Sequence, residues 1–321
     1  MSGRGAGKVI LLGEHAVVYG VPAIAVGIER GARAWTTNAG GERGKPATLS
    51  IPTWDIFVNE RDSVVLAQAF RALLDATRSE SVGALEGVAL EADGDLPPGG
   101  GLGSSAAVGV AIARALDPSA TVSAIERRVM EWERVFHGNP SGIDAAVAAR
   151  GGCIHFTRGG PIESVQVPSG LHLCIGHSGM GSSTKAMVEL VSNRLAQNPT
   201  LVEKSWSGIR SLVGNARLAL QSGDLRALGK LLDLNQMILS GLFVSTAEIE
   251  ELCGLARSAG ALGAKLTGAG GGGCVVALTE SAEGAVPILS AWKRAGYDGF
   301  HTWIATEWTA PSKSEASVAA P

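Results

Sequence analysis

Apolar and polar positions cluster along the chain in a way that predicts a mixture of strands and helices. Lys8–Leu12 is a short apolar run with β-branched residues and reads as a strand. It enters a charged turn at Gly13-Glu14-His15, after which Ala16–Gly20 reads as a second strand-like stretch. Pro22–Ile28 continues apolar and Glu29–Thr37 alternates loosely, so the first segment predicts antiparallel strands. Gly40–Pro46 is polar and rich in breakers, which predicts an exposed loop. Leu66, Phe70, Leu73 and Leu74 recur at helical spacing within Val64–Ala76, and Gly87–Ala92 alternates as a strand.

A glycine-rich stretch follows, Leu96-Pro97-Pro98-Gly99-Gly100-Gly101-Leu102-Gly103-Ser104-Ser105-Ala106, opening a helix that runs to Ala115. Asp117-Pro118 stops it, and Ser123-x-x-Glu126 has the pattern of a capping box for a helix over Ala124–Phe136. His137–Asp144 reads as a turn into a short helix, Ala145–Ala149, and Cys153–Phe156 reads as a strand. Leu171–Gly176 is a buried-strand candidate, followed by helical segments over Thr184–Gln197, Leu201–Gln221 and Leu225–Leu239. Ser245-x-x-Glu248 suggests a further capped helix ending at Gly260. A second glycine run over 268–273 leads into a strand at Cys274–Leu278, then a helix at Ala285–Arg294 and a strand at Gly299–Glu307. Without strict β-α-β alternation the fold class is α+β, with a boundary near 160–170 that divides the chain into 1–165 and 166–308. Residues 309–321 read as a disordered tail.

Composition narrows the classes. At 321 residues and 45% apolar, the chain can bury a sizeable core. A net charge of -3 offers no basic surface for nucleic acid or an anionic membrane, and no apolar run approaches the roughly 18 residues of a membrane helix. Cys153, Cys174, Cys253 and Cys274 are widely spaced and predict reduced, buried thiols in a cytoplasmic protein.

The glycine stretch brings in chemistry. A glycine loop feeding a helix start offers free N–H groups and the positive dipole end to an anion such as phosphate, though a flexible surface loop explains glycines equally well. It is not a dinucleotide fingerprint, because Ser104 and Ser105 stand where the closing glycine belongs. Serine hydroxyls there can reach a phosphate or a Mg²⁺ ion. The second run contains Gly-x-Gly-x-x-Gly but precedes a strand, so close backbone approach to a ligand or to the first loop is its expected role. Asp144 by itself reads as a first-turn carboxylate, Lys8 as a solvated lysine, and Glu133 as one helix acid among several. No His or Cys pair has metal spacing, and the Gly-x-Ser-x-Gly elbow of a hydrolase is missing.

Together the segments resemble the GHMP kinases. The resemblance rests on Gly7–Gly20, Pro97–Ala106, His137–Asp144 and Lys265–Gly272, four motifs in the family's order. The first is closest to the branch of the family whose substrate is mevalonate. The resemblance implies a ribosomal S5 domain 2-like N-terminal domain with a left-handed β-α-β unit, and a ferredoxin-like C-terminal domain. It implies ATP-dependent phosphorylation of the 5-hydroxyl of mevalonate, with Asp144 as general base and Lys8 beside it neutralising charge. ATP would be held by Pro97, Gly99, Gly100, Gly101, Leu102, Gly103, Ser104 and Ser105, and Mg²⁺ by Ser105 and Glu133. Glu14, His15, Ser141 and Thr267 would bind substrate, with Ser183-Thr184-Lys185 in a turn near the site. A homodimer is left open, and neither nucleic acid nor membrane is expected. Galactokinases usually continue Gly-Glu-His with Thr-Asp-Tyr where this chain has Ala16-Val17-Val18, and homoserine kinases lack the turn. A non-catalytic nucleotide-binding regulator would be expected to lose Lys8, Glu133 or Asp144, and all three are present.

Overall fold

A computed structural model describes residues 1–38, 44–80, 85–97, 99–181 and 183–305. The tail, Glu307, Pro98 and most of the expected 40–46 loop lie outside these residues. The first half contributes β1 (Ser2–Leu12), β2 (Ala23–Thr36), β3 (Thr48–Ile51), β4 (Ile56–Asn59) and helix α1 (Val65–Glu80). It continues with β5 (Ala89–Gly94), α2 (Ser104–Leu116), α3 (Val122–His137), α4 (Ile143–Arg150), β6 (Cys153–Phe156) and β7 (Ile162–Ser164). The second half is β8 (Leu171–His177), α5 (Thr184–Gln197), α6 (Pro199–Ser222), α7 (Leu225–Gly241), α8 (Ala247–Ser258), β9 (Gly263–Thr267), β10 (Cys274–Thr279), α9 (Ala282–Arg294) and β11 (Asp298–Ile304).

These strands form two sheets. The seven-stranded sheet has the order β4-β3-β5-β2-β6-β7, with β1 also paired along β2. Its strands pair antiparallel except β3 with β5, which are parallel and joined through β4 and α1, the place of a β-α-β crossover. The four-stranded antiparallel sheet has the order β11-β8-β10-β9. Numbered within the half, that is 4-1-3-2 with a β-α-β-β-α-β sequence, the ferredoxin-like arrangement the resemblance implied. One buried apolar cluster reaches from Val9 and Leu11 to Val275 and Ile288, so the halves share a core. Among the described residues no helix is long and apolar enough to cross a membrane. All four cysteines are free and buried, and burial pushes each thiol up to about 12.

Several boundaries differ from the sequence reading. Ala16–Tyr19 is a 3-10 turn, because left-handed Gly20 closes it and the Gly20 N–H donates back to the carbonyls of Ala16 and Val17. The N-cap of α3 is Thr121, whose hydroxyl accepts from Ala124 N, and Ser123 lies inside the helix. Thr246 caps α8, while the Ser245 hydroxyl accepts a bond from Gln236 on α7. Strands β3, β4, β7 and β9 are three to five residues long, too short for alternation to mark them, and β3 also takes a partner about 40 residues away in β5.

What positions the site is the contact between α2 and β1. A Cβ at Gly3 would stand 2.2 Å from Ala111 O, and one at Gly5 2.0 Å from Ala107 O. Small residues on both elements therefore let the helix backbone rest directly on the strand. On its other side α2 presents Gly109, against which the Trp132 indole of α3 packs at about 3.1 Å from a built Cβ. Substituting Gly5→Ala should destabilise the fold by about 1–3 kcal/mol through overpacking. Gly214→Ala, at an exposed position in α6 with no atom within 4 Å of the added methyl, should stabilise by about 0.5–1 kcal/mol. Urea unfolding of the two variants measures both signs.

Candidate active site

The α2–β1 packing brings the glycine loop over the middle of β1. Lys8 N donates to Leu102 O at 2.8 Å, so strand and loop share a backbone bond. The buried Lys8 side chain then runs beneath Gly103, where a Cβ would stand 2.9 Å from Lys8 Cγ. Gly103 is also the N-cap of α2, at φ 73°, and no side chain caps the helix. A residue with a side chain would be strained there and would displace the lysine. The helix start faces a cleft of about 440 Å³ lined by residues of both halves.

Across the cleft, Lys8 Nζ lies 2.9 Å from Asp144 Oδ1 in the first turn of α4. Asp144 Oδ1 is buried without an aligned hydrogen-bond donor, so charge and not a directed hydrogen bond couples the pair. Ser105 Oγ donates to Glu133 Oε1 at 2.6 Å and accepts from Trp132 Nε1 at 3.1 Å, which fixes the hydroxyl from two sides. Burial pushes the Glu133 carboxyl up to about 7, and the Asp144 charge adds to the rise. His137 stands 3.6 Å from Glu133, and its own basicity is lowered by burial. Two carboxylates, a hydroxyl and a buried ammonium thus face one cavity.

The Gly13-Glu14-His15 turn forms another wall. His15 sits at φ 59°, uncommon for a residue with a side chain, and its Nε2 lies 2.8 Å from Ala269 O. A carbonyl only accepts, so Nε2 carries the proton and Nδ1 is a bare acceptor. Burial lowers the His15 pKa to about 4, keeping the ring neutral. The second glycine run meets the first: a Cβ at Gly101 would stand 3.2 Å from Thr267 O, and one at Gly268 3.0 Å from Gly101 O. Close approach of the two loops is therefore what the second run provides.

The cleft wall includes Lys8, His15, Gly99, Gly101, Gly103, Ser104, Ser105, Glu133, Ser141 and Asp144, together with Ser183, Thr184 and Lys185 of the α5 start. Pro97, Gly100 and Leu102 shape the loop from behind that wall. Glu14 and Thr267, expected in the substrate pocket, also lie behind it. The Thr267 hydroxyl accepts from Ile10 N at 2.9 Å and donates to Ile10 O at 3.2 Å, stitching β9 to β1. Glu14 is fully buried and paired with Lys265. Sequence reasoning passed over Lys265, Asn235 and Trp132, whose roles depend on partners 251, 221 and 27 residues away. Its one available signal was a lysine at the head of the Lys265–Gly272 motif.

Comparison with known proteins adds to this geometry. The family described as GHMP kinases N terminal domain matches residues 65–152, and GHMP kinases C terminal matches residues 216–298. A mevalonate kinase of Thermococcus gammatolerans is 33% identical over 302 residues, covering 87% of this chain and 89% of that protein. The mevalonate kinase of Mus musculus is 31% identical over 379 residues, covering 98% of this chain and 94% of the mouse protein. A crystal structure of L. major mevalonate kinase in complex with R-mevalonate superposes with a TM-score of 0.80 at 30% identity, covering 95% of each chain.

The depressed His15 pKa makes a testable statement about acid stability. The unfolded chain binds a proton at this imidazole near 6.5, while the folded chain resists it down to about 4. Stability is thus full above 6.5 and falls as the pH drops through that window, by at most about 1.4 kcal/mol per pH unit for one proton. His15→Asn, a residue that tolerates positive φ, should flatten this slope. Urea unfolding at stepped pH compares the two, and equal slopes would show that His15 gains no proton on unfolding.

Proposed function

The chain belongs to the GHMP kinase family, and from that premise we propose that it transfers the γ-phosphoryl group of ATP to the 5-hydroxyl of mevalonate. The observation that carries the reading is the Lys8–Asp144 pair facing the uncapped start of α2 across one cleft. Phosphoryl transfer is mostly positioning and charge stabilisation, and this arrangement supplies both.

The N–H groups of the 99–105 loop and first helical turn bind the phosphates, aided by the helix dipole. Asp144, whose side chain is partly exposed on the cleft wall while Oδ1 is held beside Lys8, accepts the proton of the substrate hydroxyl. Lys8 beside it offsets negative charge on the group in transfer. His15 offers Nδ1 as an acceptor to a substrate hydroxyl, and Ser141 lies on the same wall. Glu14 and Thr267 contribute from behind, by holding the turn and the second loop.

Mg²⁺ fits the donor set at Ser105 and Glu133. Glu133 is a nearly buried carboxylate facing a second negative charge, with a hydroxyl as its hydrogen-bond donor, and a hard cation with retained waters suits such oxygens. When bound, the ion neutralises charge on the phosphate oxygens. Cytoplasmic ATP and reduced, buried thiols agree with the same reading.

Purified protein should phosphorylate mevalonate with ATP and Mg²⁺, and should leave phosphomevalonate, galactose and homoserine unreacted in parallel assays. No turnover of mevalonate would sink the assignment. Asp144→Asn should lower kcat by about 10²–10⁴ while leaving ATP affinity close to that of the parent. Full kcat in that variant would reduce Asp144 to a helix-start acid.

A further inference from the structure

Behind the cleft lies a charged cluster that the mechanism above does not use directly. Lys265 of β9 is fully buried, and its ammonium bonds the Glu14 carboxylate and Leu266 O. The second Glu14 oxygen accepts from Asn235 Nδ2 of α7 at 3.3 Å, while Asn235 Oδ1 is buried without a partner. The neighbouring Gln236 accepts from Leu266 N at 2.9 Å and donates to Ser245 and Glu250. Glu14 and Lys265 are each 0% exposed, so neither side chain reaches a ligand in the cleft.

A buried ion pair is weak as a stabilising device, since well-packed apolar residues of similar volume often do as well. Its value must be sought in what it orients. The pair joins the Gly13–His15 turn of the first half to the 265–269 segment of the second. Immediately beside it, Thr267 is bonded twice to Ile10, and His15 Nε2 to Ala269 O. His15 holds a positive φ, a conformation that persists where surrounding contacts over-determine it. Glu14 is the residue next to it, and its anchor lies on the strand that leads to Ala269.

We propose that Lys265 is a positioning residue for the substrate: by clamping Glu14 across the two halves, it holds His15 in its positive-φ conformation with the ring presented to the cleft. The proposal rests on the mevalonate reading and goes beyond it, by assigning substrate affinity to a side chain that cannot touch the substrate. The nucleotide loop touches the 267–268 segment at Gly101, but its backbone bond runs to β1, from Lys8 N to Leu102 O, and does not pass through Glu14 or Lys265. The clamp therefore acts on mevalonate and leaves ATP largely alone.

The test compares the parent with Lys265→Met and with the double variant E14Q/K265M. The single change strands a buried carboxylate and can fail to fold; the double change removes both charges and keeps the comparison alive. The expected result in the double variant is a KM for mevalonate raised about tenfold, with the KM for ATP and kcat each within about threefold of the parent, the scale of one lost oriented polar contact. The His15 ring signal in the ligand-free NMR spectrum, assigned with H15N, should shift in the same variant. A folded double variant with the parent's KM for mevalonate and an unmoved His15 signal would overturn the proposal. If the parent itself fails to phosphorylate mevalonate, the substrate assignment falls, and the His15 signal alone decides whether Lys265 holds the turn.

Discussion

The backbone-to-backbone contact of α2 with β1 is the constraint on which the site depends. Gly3 and Gly5 leave no room for a methyl group beneath Ala111 and Ala107, so the helix sits at the smallest separation the strand allows. That separation puts the helix start directly above Lys8, and Gly103 then opens the gap through which the lysine side chain passes. The remaining placements follow from it. Trp132 packs into the space left by Gly109 and reaches the Ser105 hydroxyl, which in turn fixes Glu133. An alanine-rich helix on a glycine-bearing strand is thus the ruler for Lys8, Ser105 and Glu133 around the helix start.

Electrostatics explains why so many ionisable groups tolerate burial together. Burial is the main reason Glu133 holds its proton to about 7, and repulsion from Asp144 adds to it. Lys8, buried itself, lies 2.9 Å from Asp144 and lowers the cost of the Glu133 charge as well. His15 and His137 respond to burial in the opposite direction and stay neutral. Where Glu133 and Asp144 face each other Lys8 contacts only Asp144, and a magnesium ion arriving with nucleotide phosphates would offset the Glu133 charge.

The sequence was most legible where function and local backbone share the same few residues. Gly99–Ser105 announces a loop and a helix start through conformational demands that glycine meets alone, and the structure places that start on the cleft. The span of β6 was readable to the residue and that of α5 as well, because their apolar pattern is local. Thr121 displaced Ser123 as a cap, since two hydroxyls close together offer equivalent signals and packing chooses between them. Glu14 and Thr267 carried motif positions but no sign of which way they face. Their partners, Lys265 and Ile10, come from the opposite half, and only tertiary pairing turns both side chains away from the cleft.

The walls of the cleft differ in how firmly they are held, and the difference follows the chemistry. In α4, which carries Asp144, six of eight residues are buried: Ile143 and Ala145 through Ala149. In α5, which brings Thr184 and Lys185 to the cleft, Val191 is the one buried residue of 14. Few buried apolar contacts mean a low free energy for local opening, and a well-packed helix resists it. Groups that exchange a proton or hold a transferring phosphate need their geometry fixed to a fraction of an ångström, so they belong on the packed side.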